Sequence, residues 1–217
     1  MNRREFLNFT ALLAAAPMLP TGCATAPLVA PSAAARPKRP AVVRGAFFYP
    51  AAETVLAGQC EDSWSREKWF TWPGNQFQPE AQQARFEAKL RELAAGLNLD
   101  LRLEAQPLST AAGVAAFIES VNASKPDALV LVNFWNSFSA KIKPILDAYK
   151  GPIILYHAVG ANHQLPPEYF RTAPHVQYIH SVENWEALGR GLRAVHAYNQ
   201  LAQSRLLRVS GRLDKEA

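Results

Sequence analysis

Ala128-Leu129-Val130-Leu131-Val132-Asn133 is the stretch on which the reading of the fold turns. It follows Pro126-Asp127 and is a continuous run of apolar β-formers. A strand with no polar face needs cover on both sides, which is the mark of a central strand in a parallel sheet. Ile153-Ile154-Leu155-Tyr156, after Gly151-Pro152, has the same character. Ser139 to Tyr149 lies between the two and reads as a helix.

The alternation continues outward. Ala41 to Tyr49 is β-rich and closed by Pro50, so it reads as the first strand. From Pro79 to Ala95, Phe86, Leu90, Leu93 and Ala94 recur at helical spacing. Pro79 suits the first turn and Gly96 the stop. Leu99 to Glu104 alternates apolar and polar residues, a second strand. Ser109 or Thr110 can cap a helix to about Ala123, with Val114, Phe117, Ile118 and Val121 as its face. Val176 to His180 reads as a short fifth strand. Asn184 to Ser204 is a long helix, and Arg205 to Val209 a last strand. Strands alternating with helices imply right-handed βαβ units. The expected fold is an α/β, three-layer, Rossmann-like or flavodoxin-like domain with a mostly parallel sheet.

The start of the chain reads as an address. Arg3-Arg4-Glu5-Phe6-Leu7 matches the core of a twin-arginine export signal, so the twin-arginine translocase is an expected partner. The apolar stretch Phe9 to Leu19 is too short to span a bilayer, which needs about 20 residues, and suits a signal peptide. Leu19-Pro20-Thr21-Gly22-Cys23 is similar to a lipoprotein cleavage box, with Pro20 where such boxes prefer Leu. Two endings therefore stand side by side: lipidation of Cys23, or cleavage within Ala24 to Ala35. The expected divisions are a signal at 1–23, an Ala/Pro-rich linker at 24–40 and one domain at 41–217. Membrane contact is expected only through a lipid anchor, and the location is periplasmic or otherwise exported.

Composition narrows the function. Apolar residues make up 49% of the chain, which suits a globular domain. Part of the net charge of +5 lies in the signal and linker. No basic run is interleaved with aromatics, so no nucleic-acid partner is expected. Of the two cysteines, Cys60 has no partner once Cys23 is lipidated or removed, which excludes a disulfide framework. Cys60 reads as a small buried apolar residue. There is no Gly-x-Gly-x-x-Gly after the first strand, no Walker loop and no Gly-x-Ser-x-Gly elbow.

In open α/β sheets, ligands bind beyond the carboxyl ends of the strands. After the first strand comes a loop with three of the five tryptophans, Trp64, Trp69 and Trp72, followed by Asn75, Gln76 and Phe77. After the third come Asn133, Trp135, Asn136 and Ser137, and after the fourth His157, Asn162 and His163. Aromatic faces with amides and imidazoles suit a polyol or sugar. The candidate ligand-binding residues are Trp69, Trp72, Asn75, Gln76, Asn133, Trp135, Asn136, His157, Asn162 and His163. The competing reading is that these aromatics pack a long loop onto the sheet edge, and it is favoured for Trp64 and Phe77. His157 and His163 with Glu53, Glu61 or Asp62 match no tight metal-ligand spacing, so no metal site is assigned.

Trp72-Pro73-Gly74 through Ile153-Ile154-Leu155-Tyr156, then Glu183 to Ala194 and Arg205-Leu206-Leu207, resembles the N-terminal domain of L-fucose/L-arabinose isomerase-like proteins. The likeness spans about Ala41 to Gly211. It implies a sugar-related role. In that family the metal-binding residues belong to later domains, so the resemblance assigns no catalytic residue here. It implies no cofactor in this chain, and a divalent metal such as manganese only where a catalytic partner chain completes it. The expectation is an exported sugar-binding or vestigial domain without turnover. The alternatives are a fragment or subunit of an aldose-ketose isomerase, and an interaction lipoprotein.

Overall fold

The computed structural model describes residues 37–60, 78–135, 138–158 and 166–204. The expected last strand, Arg205 to Val209, and the expected signal peptide lie outside them. The described strands are β1 (Val42–Phe48), β2 (Asp100–Leu103), β3 (Ala128–Asn133), β4 (Ile153–His157) and β5 (Val176–His180). The helices are α1 (Ala52–Leu56), α2 (Pro79–Gly96), α3 (Ala111–Ser124), α4 (Ser139–Ala148), α5 (Glu168–Thr172) and α6 (Trp185–Ala202). The sheet order is β2-β1-β3-β4-β5, and every pair is parallel. This is the flavodoxin-like doubly wound order.

The central strands are those without a polar face. Every residue of β3 and β4 is buried, while β2 and β5, at the edges of the described sheet, are only partly so. α2 packs with α6, and α3 with α4. Alternation along β1 separates the two faces. Phe47 points toward the α2/α6 side, where Phe86 meets Phe134, Tyr156 and Trp185 edge-on at centroid distances of 5.1, 5.2 and 4.6 Å. Arg44 points to the other side, where its guanidinium lies 5.3 Å from the Phe117 ring of α3 and bonds Ser120 Oγ at 2.6 Å.

Local chemistry sets the ends of the elements. Pro79 opens α2, where an amide hydrogen would have no partner in the helix. Thr110 caps α3, its hydroxyl accepting the Gly113 amide at 3.0 Å. Gly45 sits in a tight place: a Cβ there would stand 2.5 Å from Leu103 Cδ2 and 3.2 Å from the Val130 carbonyl oxygen.

Two short helices break stretches that carry too few residues for a periodic signal. α1 interrupts the expected loop between Pro50 and Gln78, and α5 precedes β5. The domain also begins earlier than the expected linker boundary. Lys38 Nζ donates to the Gln200 carbonyl at 2.8 Å, and Arg39 forks onto both oxygens of Asp127 at 2.6 Å. The compact unit accordingly runs from Lys38.

Candidate functional site

The connections leaving β1 and β3 diverge to opposite sides of the sheet, so the carboxyl edge beside them is where a ligand fits in this fold. Register builds a row along that edge. Phe48 pairs with Asn133, Asn133 with His157, and His157 with His180. Parallel partners in register share a face, so the four side chains lie on the same side of the sheet. That is the α3/α4 side, since Phe48 follows Arg44 by two alternations. α5 covers it: the Phe170 ring meets His157 edge-on at 6.5 Å, and Tyr169 Oη donates to the Ser139 carbonyl at 3.1 Å.

Asn133 and His157 are both completely buried, and each retains an unpaired polar atom. Asn133 Oδ1 accepts the Trp135 amide at 3.1 Å, which fixes the orientation of the side chain. Its Nδ2 has no partner. His157 Nδ1 lies 3.0 Å from Tyr178 Oη, and its Nε2 has no partner. A buried polar group without a hydrogen bond costs about 1–3 kcal/mol. Two such groups side by side at the ligand edge need a reason, and a ligand atom or an ordered water supplies one. His196 Nδ1 on α6 is also unpaired, but it stands apart from this row.

Burial pushes the His157 imidazole down to about 3, and the His180 ring, 5.2 Å away, adds to the shift. His157 is therefore neutral at physiological pH. Burial pushes the Tyr178 hydroxyl up, so it stays protonated and can donate to Nδ1 or accept from it. The pair offers an amide donor beside a neutral imidazole nitrogen. That set can hold an oxygen bearing a hydrogen or a lone pair.

The expected site residues fall into two groups. Asn133 and His157 are brought together. Trp135, for which a ligand-facing and a packing role both stood open, is as buried as those two, at 1% exposed. Trp69, Trp72, Asn75, Gln76, Asn136, Asn162 and His163 lie outside the described residues, as do Trp64 and Phe77. Cys60 is buried, as expected of a small apolar residue. Glu53 is exposed on α1. Among the described residues, no three His, Cys, Asp or Glu side chains gather as metal ligands. Sequence reasoning missed Tyr178 and His180. The available signal was that three parallel strands end in Asn133, His157 and His180, each a polar residue closing a run of β-formers.

A cleft of about 530 Å³ opens at the opposite, amino edge, lined by Lys150, Pro152, Ile154, Gln177, Gly191 and Tyr198 among others. Two of its polar side chains are engaged within the fold. Gln177 Nε2 donates to the Ala187 carbonyl at 3.3 Å, and Lys150 Nζ donates to the Leu146 carbonyl at 3.3 Å. It lies away from the edge where this fold binds ligands.

The fold and its carboxyl edge define a doubly wound α/β domain with a buried amide-imidazole pair. No protein-family model matches the chain, and no curated protein matches it. No helix among the described residues is long and apolar enough to cross a membrane.

Proposed function

We propose that the chain is an exported domain that binds carbohydrate without turning it over. The observation that carries this reading is that two register-paired residues at the carboxyl ends of β3 and β4 each keep an unpaired buried side-chain atom, Asn133 Nδ2 and His157 Nε2. Sugar hydroxyls both donate and accept, and they meet the needs of an amide and a neutral imidazole together. The resemblance to the N-terminal domain of L-fucose/L-arabinose isomerase-like proteins points to the same ligand class. The reading places the domain outside the inner membrane, delivered by the twin-arginine translocase and held by lipid where Cys23 is modified.

Thermal unfolding of the purified chain across a panel of pentoses and hexoses tests the reading. A stabilising sugar raises the midpoint by mass action, with ligand at 100 times Kd adding about 2.7 kcal/mol. A flat response across the panel removes the carbohydrate reading. A second check is conversion: the bound sugar is expected to be recovered unchanged, and aldose-ketose conversion by this chain alone would overturn the non-catalytic part.

A further inference from the structure

The amino edge carries an apolar surface that the described residues leave open. α6 meets the sheet closely at Gly191, where a Cβ would stand 2.6 Å from Gln177 Oε1 and 2.8 Å from Ile154 Cδ1. Further along the same side of the helix come Ala194, Val195 and Tyr198, which with Pro152, Ile154 and Val176 line the cleft of about 530 Å³. Tyr198 is 63% exposed, and Leu201, one turn on, is 70% exposed. Residues three and four apart share a helix face. An apolar track therefore runs from the cleft to the end of α6 at Ala202.

We propose that the segment directly after α6, residues 205–213, turns back and seats its apolar side chains in this cleft as a strap. Three observations select this occupant. The first is where the chain leaves the helix. Ser204, the last described residue, lies about 9 Å along the axis from Tyr198 at 1.5 Å per residue. Each extended residue spans about 3.3 Å, so Leu207 and Val209 can reach the cleft. The second is the pattern of the segment. Leu207, Val209 and Leu213 fall on one side of an extended chain, and Arg208, Ser210 and Arg212 on the other. That is a segment with one face to bury and one to leave in water. The third is chirality. The step from β1 to β2 runs toward one edge of the sheet with its helix on the α2/α6 side, and the step from β3 to β4 runs toward the other with its helix on the opposite side. α6 lies with α2, so a strand added beyond β5 would close a left-handed crossover, which parallel sheets almost never use. The cleft offers the same segment apolar cover without that crossover, and burial of Leu207 and Val209 against Tyr198 drives the docking.

Trypsin reads the strap directly, because Arg205, Arg208 and Arg212 are its cleavage points. The full chain is digested under native conditions, with the cuts located by mass spectrometry. A synthetic peptide of residues 203–217 supplies the rate for the free segment. Cutting after Arg208 and Arg212 is expected to be at least tenfold slower in the wild-type chain than in the peptide. Leu207→Asp and Tyr198→Asp are each expected to restore most of the peptide's rate. The two together are expected to do little more than either alone, because they break one contact. Circular dichroism checks that each variant is folded, and if Tyr198→Asp is not, Leu201→Asp on the same exposed track takes its place. Wild-type cutting at the peptide's rate would overturn the strap. Slow cutting that neither cleft variant speeds would also overturn it, since the segment would then pack elsewhere. So would slow cutting that appears only at high protein concentration, which would make a second copy the occupant.

Discussion

The two edges of the sheet treat the polar groups at the ends of their strands in different ways. At the amino edge, Asp127 accepts from the Arg39 guanidinium and from the Val42 amide at 2.7 Å, and Tyr149 Oη donates to the Pro126 carbonyl at 2.9 Å. Asn199 Nδ2 reaches the Arg39 carbonyl at 3.0 Å. These bonds tie the incoming chain to α6 and to the start of β3. At the carboxyl edge, Asn133 and His157 each keep one atom unpaired. An edge that satisfies its polar groups contributes stability. An edge that leaves them open retains hydrogen-bonding capacity for something else, at some expense in stability. The difference separates the part of the domain that holds the fold from the part available for binding.

Acid should expose this difference most strongly. His157 ionises in the folded state near 3, against about 6.5 for an unfolded imidazole. The fold favours the neutral ring, so the stability it contributes is fully present above about pH 6.5 and falls as pH drops toward 3. The limiting slope is about 1.4 kcal/mol per pH unit for one such group, giving a loss of about 2 kcal/mol between pH 8 and pH 5. Urea unfolding of the wild type and of His157→Leu at both pH values measures it. The variant is expected to lose about 2 kcal/mol less than the wild type over that interval. Parallel pH profiles would mean that water or a ligand already reaches Nε2.

The amino edge is expected to respond next. Asp127 sits below the usual carboxylate range, held there first by the Arg39 hydrogen bonds and also by the Val42 amide, against burial. Arg39 is largely exposed, so its share is small. The bond from the Val42 amide to a partly buried carboxylate carries more. Asp127→Ala is expected to lower stability at pH 7 by about 1–2 kcal/mol. A lowered folded value means that this contribution is present above about pH 4 and is lost as pH falls further. Its acid window therefore lies below that of His157. Denaturant unfolding of Asp127→Ala at pH 7 and pH 3.5 checks both parts. A variant as stable as the wild type at pH 7 would remove the amino edge from the comparison.

Most of the fold was legible because its signals are periodic. The unbroken apolar runs of β3 and β4 require a two-sided cover, and Phe86, Leu90 and Ala94 mark one buried helical stripe on α2. Sheet order was not legible. Nothing in the sequence places β1 between β2 and β3; that arises from how the crossovers pack. α1 and α5 span five residues each, less than two turns, and carry no usable period. The site was legible as an edge and not as a set of roles. Residue type named Asn133 and His157. Only register set them side by side, and only packing buried the Trp135 ring, which the sequence could equally have offered to a ligand. Tyr178 and His180 escaped because a short strand shows its function only against its neighbour.

The smallest predicted change in stability is also the most discriminating. Asn133→Leu keeps the side-chain shape nearly constant and removes both polar atoms. It takes the Oδ1 acceptor from the buried Trp135 amide, which costs about 1–3 kcal/mol, and it relieves the unpaired Nδ2, whose burial costs a comparable amount. The two changes oppose each other, so stability is expected to move by less than about 1 kcal/mol in either direction. For a domain of this size that is a shift of roughly 2–4 °C at most in Tm. Asp127→Leu at the amino edge removes bonds without relieving an unpaired atom, and it is expected to destabilise. Scanning calorimetry on the two leucine variants makes the comparison directly. If Asn133→Leu destabilises as much as Asp127→Leu, then Nδ2 was already satisfied, and the carboxyl edge holds the fold in the same way as the amino edge.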